Sequence, residues 1–449
     1  MSDQITKYKE GSLLELWTIS YPMILAFMSG NFMMFVDRLF LANYSIPALN
    51  AATTAGMMAT VFLYGAATIT AISEVFAGQF NGAKEYSNVA APTWQMLWFS
   101  LGVFVVYILV ALFGGPYLLP QYHYHDQGLP YFQWMLFLGV TIPAIAALTG
   151  FFVGIGKTRS VMVITILGNI VNVVLDPLFI FVFDMGAKGA AIATGISGCI
   201  QVGIFLWIML KDEYRKMYGT AKWQFELPLF LRCLKVGVPS ATGHMIEWTA
   251  WAISIRMMAM AGELYLTVAS IGQSLYMLIA FGFDGIQKAI TTLSANRMGA
   301  KKWGGVKKVW TSGIILMLIL GLPFGIVMLG YPMPIIQEFL SSETSPEDMA
   351  ILLPLLRITA AGVFLYYLVD GFTWICVGVL TAAEDTFFVM WVNGITAWLC
   401  GLAPVLYGMV YLKLSPAWYF MIISFYGACN AVIFYRRLRK KVWKEVVYG

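Results

Sequence analysis

VMVITILGNIVNVVLDPLFIFVF, residues 161–183, is a run of 23 residues with one charge, Asp176, set inside it. As a helix rising 1.5 Å per residue it is long enough to cross roughly 30 Å of hydrocarbon. A soluble helix of that length would carry charges along one side. Asn172 lies four residues before Asp176, so the two side chains share a helical face and can share a proton or a cation. An acid removed from water costs several kilocalories per mole unless it is paired, hydrated or protonated. The run therefore reads as a membrane span carrying a polar pair, with Pro177 as a local distortion whose freed backbone polarity must be met by neighbours.

The same pattern recurs in both directions. The 449 residues are 60% hydrophobic and only 11% charged, where a soluble domain carries about a quarter charged residues. Runs of about 20 apolar residues are predicted at 13–37, 50–73, 92–114, 131–153, 161–183, 187–210, 233–258, 264–287, 307–330, 349–372, 386–409 and 415–435. This predicts an all-α polytopic membrane protein with twelve transmembrane helices. A transmembrane β-barrel would show runs of about ten residues with alternating polarity instead. The opening run, after Lys7-Tyr8-Lys9-Glu10, continues past Tyr21 without a small-residue cleavage pattern and reads as the first span. Cys199, Cys233, Cys376, Cys400 and Cys429 stand apart, with neither metal-ligand nor disulfide spacing, and His123, His125 and His244 form no convincing metal cluster.

Charge distribution sets orientation. The side holding the termini and the connectors after spans 2, 4, 6, 8 and 10 carries 23 of the 28 Lys and Arg residues. The positive-inside rule places that side, and both termini, in the cytoplasm, as expected for a multi-pass protein of a bacterial inner membrane. The basic residues gather at helix ends such as Lys301-Lys302, Lys307-Lys308 and Arg436-Arg437 to Lys444. They read as anchors to membrane lipids rather than as a nucleic-acid surface.

A repeat divides the chain. Pro22 and Pro239 are 217 residues apart, and Gly82-Ala83-Lys84 and Gly299-Ala300-Lys301 repeat that spacing. Two repeats that start on the same side are related by an axis along the membrane normal. The expected organisation is a cytoplasmic segment at 1–12, a six-helix lobe at 13–210, a connector at 211–232, a pseudo-symmetric six-helix lobe at 233–435 and a basic tail at 436–449. Gly186, Gly189, Ala190, Ala191 and Ala193 would allow close helix contact.

Other ionisable groups fall within spans. Asp37 ends the first run, and Glu247 and Asp370 lie in the seventh and tenth, with Asp284 near the cytoplasmic end of the eighth. Glu247 is followed by Trp248 and Trp251, and Asp370 by Phe372 and Trp374, so each acid has aromatic faces at hand for an apolar cation. Met33, Met34, Met57, Met58, Met257, Met258 and Met260 offer adaptable apolar surface, although ordinary packing is the commoner role of a helical Met.

The stretches GIGKTRSVMVITILGNIVNVVLDPLFIF (154–181) and GAKGAAIAT (186–194), with Ser20-Tyr21-Pro22, VDRLFLA (36–42), GQFNGAK (78–84) and DGFTWICVGVL (370–380), resemble the multidrug and toxic compound extrusion (MATE) transporter family over essentially 13–435. That resemblance implies the MATE/MOP-type fold. It also implies a cation-coupling set of Asp37, Asn172, Asp176 and Thr194, with Pro22 permitting the first helix to bend. Relatives that emphasise second-lobe carboxylates have their counterparts in Glu247 and Asp370. For substrate contact or second-lobe coupling the resulting set is Glu247, Asp370, Met33, Trp248 and Met257. TAAEDT at 381–386 departs from the basic, glycine-rich turn of many relatives.

The implied activity is secondary antiport, exporting small organic cations or drugs against protons, with Na⁺ at Asp37, Asn172 and Asp176 as the alternative. It requires neither an enzyme site nor a cofactor, and no GxxxxGK[ST] loop occurs. A monomer is expected. A lipid-linked oligosaccharide flippase of the same superfamily would need a basic element for pyrophosphate, and only Arg256 and Arg357 offer one. A non-transporting membrane interaction protein is the reading from a different class.

Overall fold

The computed structural model describes residues 5–119, 124–280, 282–338 and 346–440, whose regular structure is all helical, with no strand among them. Ten helical runs among the described residues are long and apolar enough to cross a membrane. The bent pair Glu263–Leu278 and Gly282–Gly299 makes an eleventh when taken as one span. The helix Leu227–Ala261 has ample length at 35 residues, but Lys235, His244, Glu247 and Arg256 interrupt its apolar surface. A tally of spans by apolarity thus stops short of twelve at the helix that carries Glu247.

The chain forms two compact units. The first comprises residues 1–8, 18–241 and 291–303. Its principal helices are Leu13–Tyr44 from residue 18 on, Ile46–Thr70, Ser73–Gly82, Ala91–Phe113, Leu129–Phe137, Thr141–Gly154, Thr158–Pro177 and Gly186–Met209. Phe76, Phe132, Phe151, Phe152 and Phe205 are fully buried at its centre. The connector after the sixth predicted span is itself ordered. It forms the helix Asp212–Tyr218, and then Thr220, Trp223 and Gln224 accept hydrogen bonds on their backbone oxygens from Trp94, Trp98 and Gln95 at 3.0, 2.9 and 2.9 Å. Those bonds meet backbone polarity that would otherwise be exposed beside the apolar zone.

Two helix ends in this unit repeat bond for bond. After Ser73–Gly82, Lys84 takes φ 65°, with Lys84 N–H on Asn81 O (3.2 Å) and Glu85 N–H on Phe80 O (2.9 Å). After Gly282–Gly299, Lys301 takes φ 58°, with Lys301 N–H on Met298 O (2.9 Å) and Lys302 N–H on Arg297 O (2.8 Å). Both are Schellman ends with lysine in the left-handed place that glycine usually takes.

The second unit comprises residues 9–17, 242–290 and 304–449. It contains the rest of Leu227–Ala261, then Glu263–Ala280, Trp303–Gly330, Pro346–Ala382, Thr386–Thr396 and Tyr419–Lys440. Residues 397–402 and 406–411 continue the helix from Thr386 as π-turns. TAAEDT closes Pro346–Ala382 with Glu384 left-handed at φ 63° and Asp385 N–H on Leu380 O at 3.0 Å. Asp385 accepts from Arg437 Nε at 2.8 Å and Nη2 at 3.2 Å, and the guanidinium lies 4.6 Å from the centroid of Phe388. Arg437, expected as a membrane-surface anchor, is therefore held by protein.

Candidate functional site

In the first unit, the helix Thr158–Pro177 places Asn172 and Asp176 on one buried face, both with no exposed surface. Asp37, half-buried on Leu13–Tyr44, and Thr194, half-buried on Gly186–Met209, meet that face. The Asn172 amide can be seated in two ways. In one, Nδ2 faces Asp176 Oδ1 at 3.4 Å and Thr194 Oγ1 at 3.3 Å. With the amide turned over, its nitrogen donates to Asp37 Oδ1 at 3.0 Å and its oxygen accepts from the Thr194 backbone N–H at 3.3 Å. The second orientation satisfies more of the amide, and both keep Asn172 between the same two acids. The Asp37 and Asp176 carboxyls are within hydrogen-bonding reach of each other. Such a contact forms only when one of them carries a proton. Asp176 Oδ2 is buried and faces no donor among the described residues. Tyr131 lies within electrostatic reach of both acids and of Arg38.

This cluster can take up one positive charge, as a proton between the carboxyls or as a small cation among oxygens of Asp37, Asp176, Asn172 and Thr194. Pro22 is buried inside the helix that carries Asp37, where its missing N–H removes one rung of the hydrogen-bond ladder. Met33 is half-buried one turn before Asp37 on the same helix.

In the second unit, Asp370 is buried on Pro346–Ala382 and its Oδ2 accepts from Tyr276 Oη at 2.5 Å and Trp374 Nε1 at 3.0 Å. Tyr366, one turn earlier, lies within reach of the carboxyl. The rings form a continuous wall: Tyr276 and Tyr366 have centroids 4.9 Å apart, and Trp251 lies 6.1 Å from Tyr276 and 5.8 Å from Tyr366. Glu247, half-buried one turn before Trp251, lines a cavity of about 20 Å³ with Trp251, Ser254, Gly401 and Tyr426. That volume is enough for about one water molecule.

Trp248, predicted beside Glu247, is 71% exposed, and Trp251 takes part in the ring wall instead. Met257 is half-buried against Ala250, Ala397, Leu402 and Tyr426. Met258 is fully buried, whereas Met34, Met57 and Met260 are exposed, as are Arg256 and Arg357. Tyr276, Tyr366 and Tyr426 were absent from the sequence-based set. Tyr366 alone had a usable signal, its i, i+4 spacing to Asp370. The five cysteines are free thiols.

Membrane-length helices carrying buried acids within their spans, with aromatic rings around one of them, define a polytopic membrane carrier. The MatE family model matches residues 22–178 and 239–406, and the chain belongs to that family. A probable multidrug resistance protein NorM of Thermotoga maritima is 28% identical over 405 residues, covering 86% of this chain and 84% of the relative. A probable NorM of Acinetobacter baylyi is 23% identical over 432 residues, covering 93% of this chain and 94% of the relative. An outward-facing multidrug resistance MATE family transporter of the MOP superfamily superposes with a TM-score of 0.81 at 16% identity, covering 98% of this chain and 99% of that one. The protein is a multi-pass secondary transporter of the multidrug-efflux type, not an enzyme, and has the MATE fold.

Proposed function

We propose that this transporter is an antiporter that exports organic cations or drugs in exchange for protons, with Na⁺ as the alternative coupling ion. The observation that carries the reading is the four-residue cluster of Asp37, Asn172, Asp176 and Thr194, which holds two acids around one amide within the helices. When a proton binds between the acids, one negative charge is lost, and the Asn172 amide then donates to whichever carboxyl keeps its charge. Charge and hydrogen bonding change together, which biases two nearly balanced conformations. The bend at Pro22 is the expected conformational element.

The ring wall around Asp370, with Glu247 beside it, supports an organic cation as cargo. A buried acid supplies the charge, and aromatic faces supply cation–π contact worth more when water is excluded. The relatives' names as multidrug resistance proteins agree with a broad range of small drug-like cargo. Met33 and Met257 extend this lining with adaptable apolar surface, and Trp248 contributes where its helix faces the cargo path.

In this reading twelve spans cross a bacterial inner membrane, grouped as six-helix lobes at 13–210 and 233–435. The 1–12 segment, the 211–232 connector and the 436–449 tail are cytoplasmic, and the transporter works as a monomer among membrane lipids. Proteoliposomes test the activity. A pH gradient in Na⁺-free buffer is expected to drive movement of tetraphenylphosphonium. Transport that needs a Na⁺ gradient and persists without a pH gradient would transfer coupling to Na⁺, and a protein that binds a broad panel yet moves none of it would not be an antiporter.

A further inference from the structure

Thr396, Asn393, Asn430 and Tyr426 form a buried polar cluster between Thr386–Thr396 and Tyr419–Lys440. All four are more than nine-tenths buried. Thr396 Oγ1 donates to Asn430 Oδ1 at 2.5 Å, and Asn430 Nδ2 donates to Asn393 Oδ1 at 3.3 Å. One turn earlier on Tyr419–Lys440, Tyr426 lines the same small cavity as Glu247, with Asn430 and Glu247 both within hydrogen-bonding reach of its phenol. The π-turn at 397–402 follows Thr396 directly and supplies Ala397, Gly401 and Leu402 to the small cavity that Glu247 and Tyr426 also line. Single-turn π distortions are frequent at functional positions.

Polar side chains can join membrane helices simply as glue, and such bonds contribute modestly on average. This cluster does more than join two helices. It leads to the cavity that the Glu247 carboxyl lines. A phenol whose oxygen is occupied by Asn430 has its proton directed to Glu247, whereas an unpinned phenol in the same cavity could rotate away. We propose that Tyr426, held by Asn430 with Thr396 and Asn393, is a positioning residue that fixes the Glu247 carboxyl toward the ring wall and thereby sets the affinity for organic cations. The inference rests on the reading of Glu247 as a cargo contact.

A thermodynamic cycle tests it, with equilibrium binding of tetraphenylphosphonium to purified full-length protein as the readout. Tyr426→Phe keeps the ring and removes only the hydroxyl, and is expected to weaken binding about threefold to tenfold, the scale of one hydrogen bond. In a Glu247→Gln background the same change is expected to have no further effect, since its only route is through the carboxyl. Thr396→Val should weaken binding in the same direction, and Thr396→Ser, which keeps the hydroxyl, should restore it. Equal losses from Tyr426→Phe in both backgrounds would make the cluster structural glue and overturn the inference. Unchanged binding in Tyr426→Phe beside weakened binding in Glu247→Gln would also overturn it, while leaving the role of Glu247 intact. Unchanged binding in Glu247→Gln would remove the cargo reading of that residue, and the inference with it.

Discussion

Gly82 lies so close to Asn296 that a Cβ at residue 82 would overlap the Asn296 carbonyl oxygen. Gly299 stands in the same relation to the carbonyl oxygen of Gln79. Gln79 and Asn296 are 217 residues apart, as are Gly82 and Gly299, so one contact is the repeat of the other. The crossing is sealed by Asn81 Nδ2 on Asn296 Oδ1 at 2.7 Å and Asn296 Nδ2 on Gly154 O at 2.8 Å, and Thr292 Oγ1 donates to the buried Glu74 Oε1 at 2.8 Å. Backbone rather than a flexible side chain blocks the added carbon, so neither site can relax locally. Gly82→Ala and Gly299→Ala are each expected to destabilise the protein by about 1–3 kcal/mol. Thermal unfolding in detergent reads this directly, and a variant as stable as the parent would show that the crossing separates easily.

The left-handed helix ends predict the opposite sign. Lys84, Lys301 and Glu384 all have φ near 60°, a conformation that costs an L-residue roughly 1–2 kcal/mol, part of which glycine loses again through its freer unfolded chain. Glu384→Gly should therefore raise stability by up to about 1 kcal/mol and leave export unchanged. A lower unfolding temperature would mean that the Glu384 side chain contributes more than its backbone costs.

The sequence made some of this legible and concealed the rest for physical reasons. Asn172 and Asp176 could be paired because i, i+4 spacing on a helix is a local rule. Joining them to Asp37 and Thr194 needed the family resemblance, since nothing local links positions so far apart. Around Glu247 the nearest aromatic in sequence, Trp248, sits a helical step of about 100° away from it. Trp251 at i+4 returns to the same face and stacks on Tyr276. The tyrosines that surround Asp370 were concealed among 23 in the chain, many of which a membrane protein uses as interfacial belts. The π-turns at 397–402 and 406–411 have no pattern of their own, because tertiary packing decides where a helix widens.

Topology gives a labelling prediction. The positive-inside rule predicts a cytoplasmic 211–232 segment, so single cysteines there should be protected from a membrane-impermeant maleimide in intact cells. Positions in 339–349 should label from outside; of these, 339–345 lie outside the described residues. Labelling at 211–232 with protection at 339–349 would invert the orientation and the direction of export.

Asp37→Asn and Asp176→Asn are expected to insert normally and to lose at least about tenfold of gradient-driven export while keeping cargo binding. Stability and function separate in these variants. Asp176 has no exposed surface and its Oδ2 faces no donor among the described residues, so the ionised form has an uncompensated oxygen in a water-poor site. A near-isosteric amide removes that liability, and the variant should be no less stable than the parent. It cannot, however, alternate between a charged and a protonated state, and the Asn172 amide then has one carboxyl to serve instead of two. A stable, well-inserted variant that binds tetraphenylphosphonium but no longer couples its movement to a gradient is the expected signature. Surface yield must be measured beside transport, because loss of protein from the membrane imitates loss of coupling. Parental export in both variants would remove coupling from the first unit, and Glu247→Gln and Asp370→Asn, tested in parallel, would then show whether the second unit carries it.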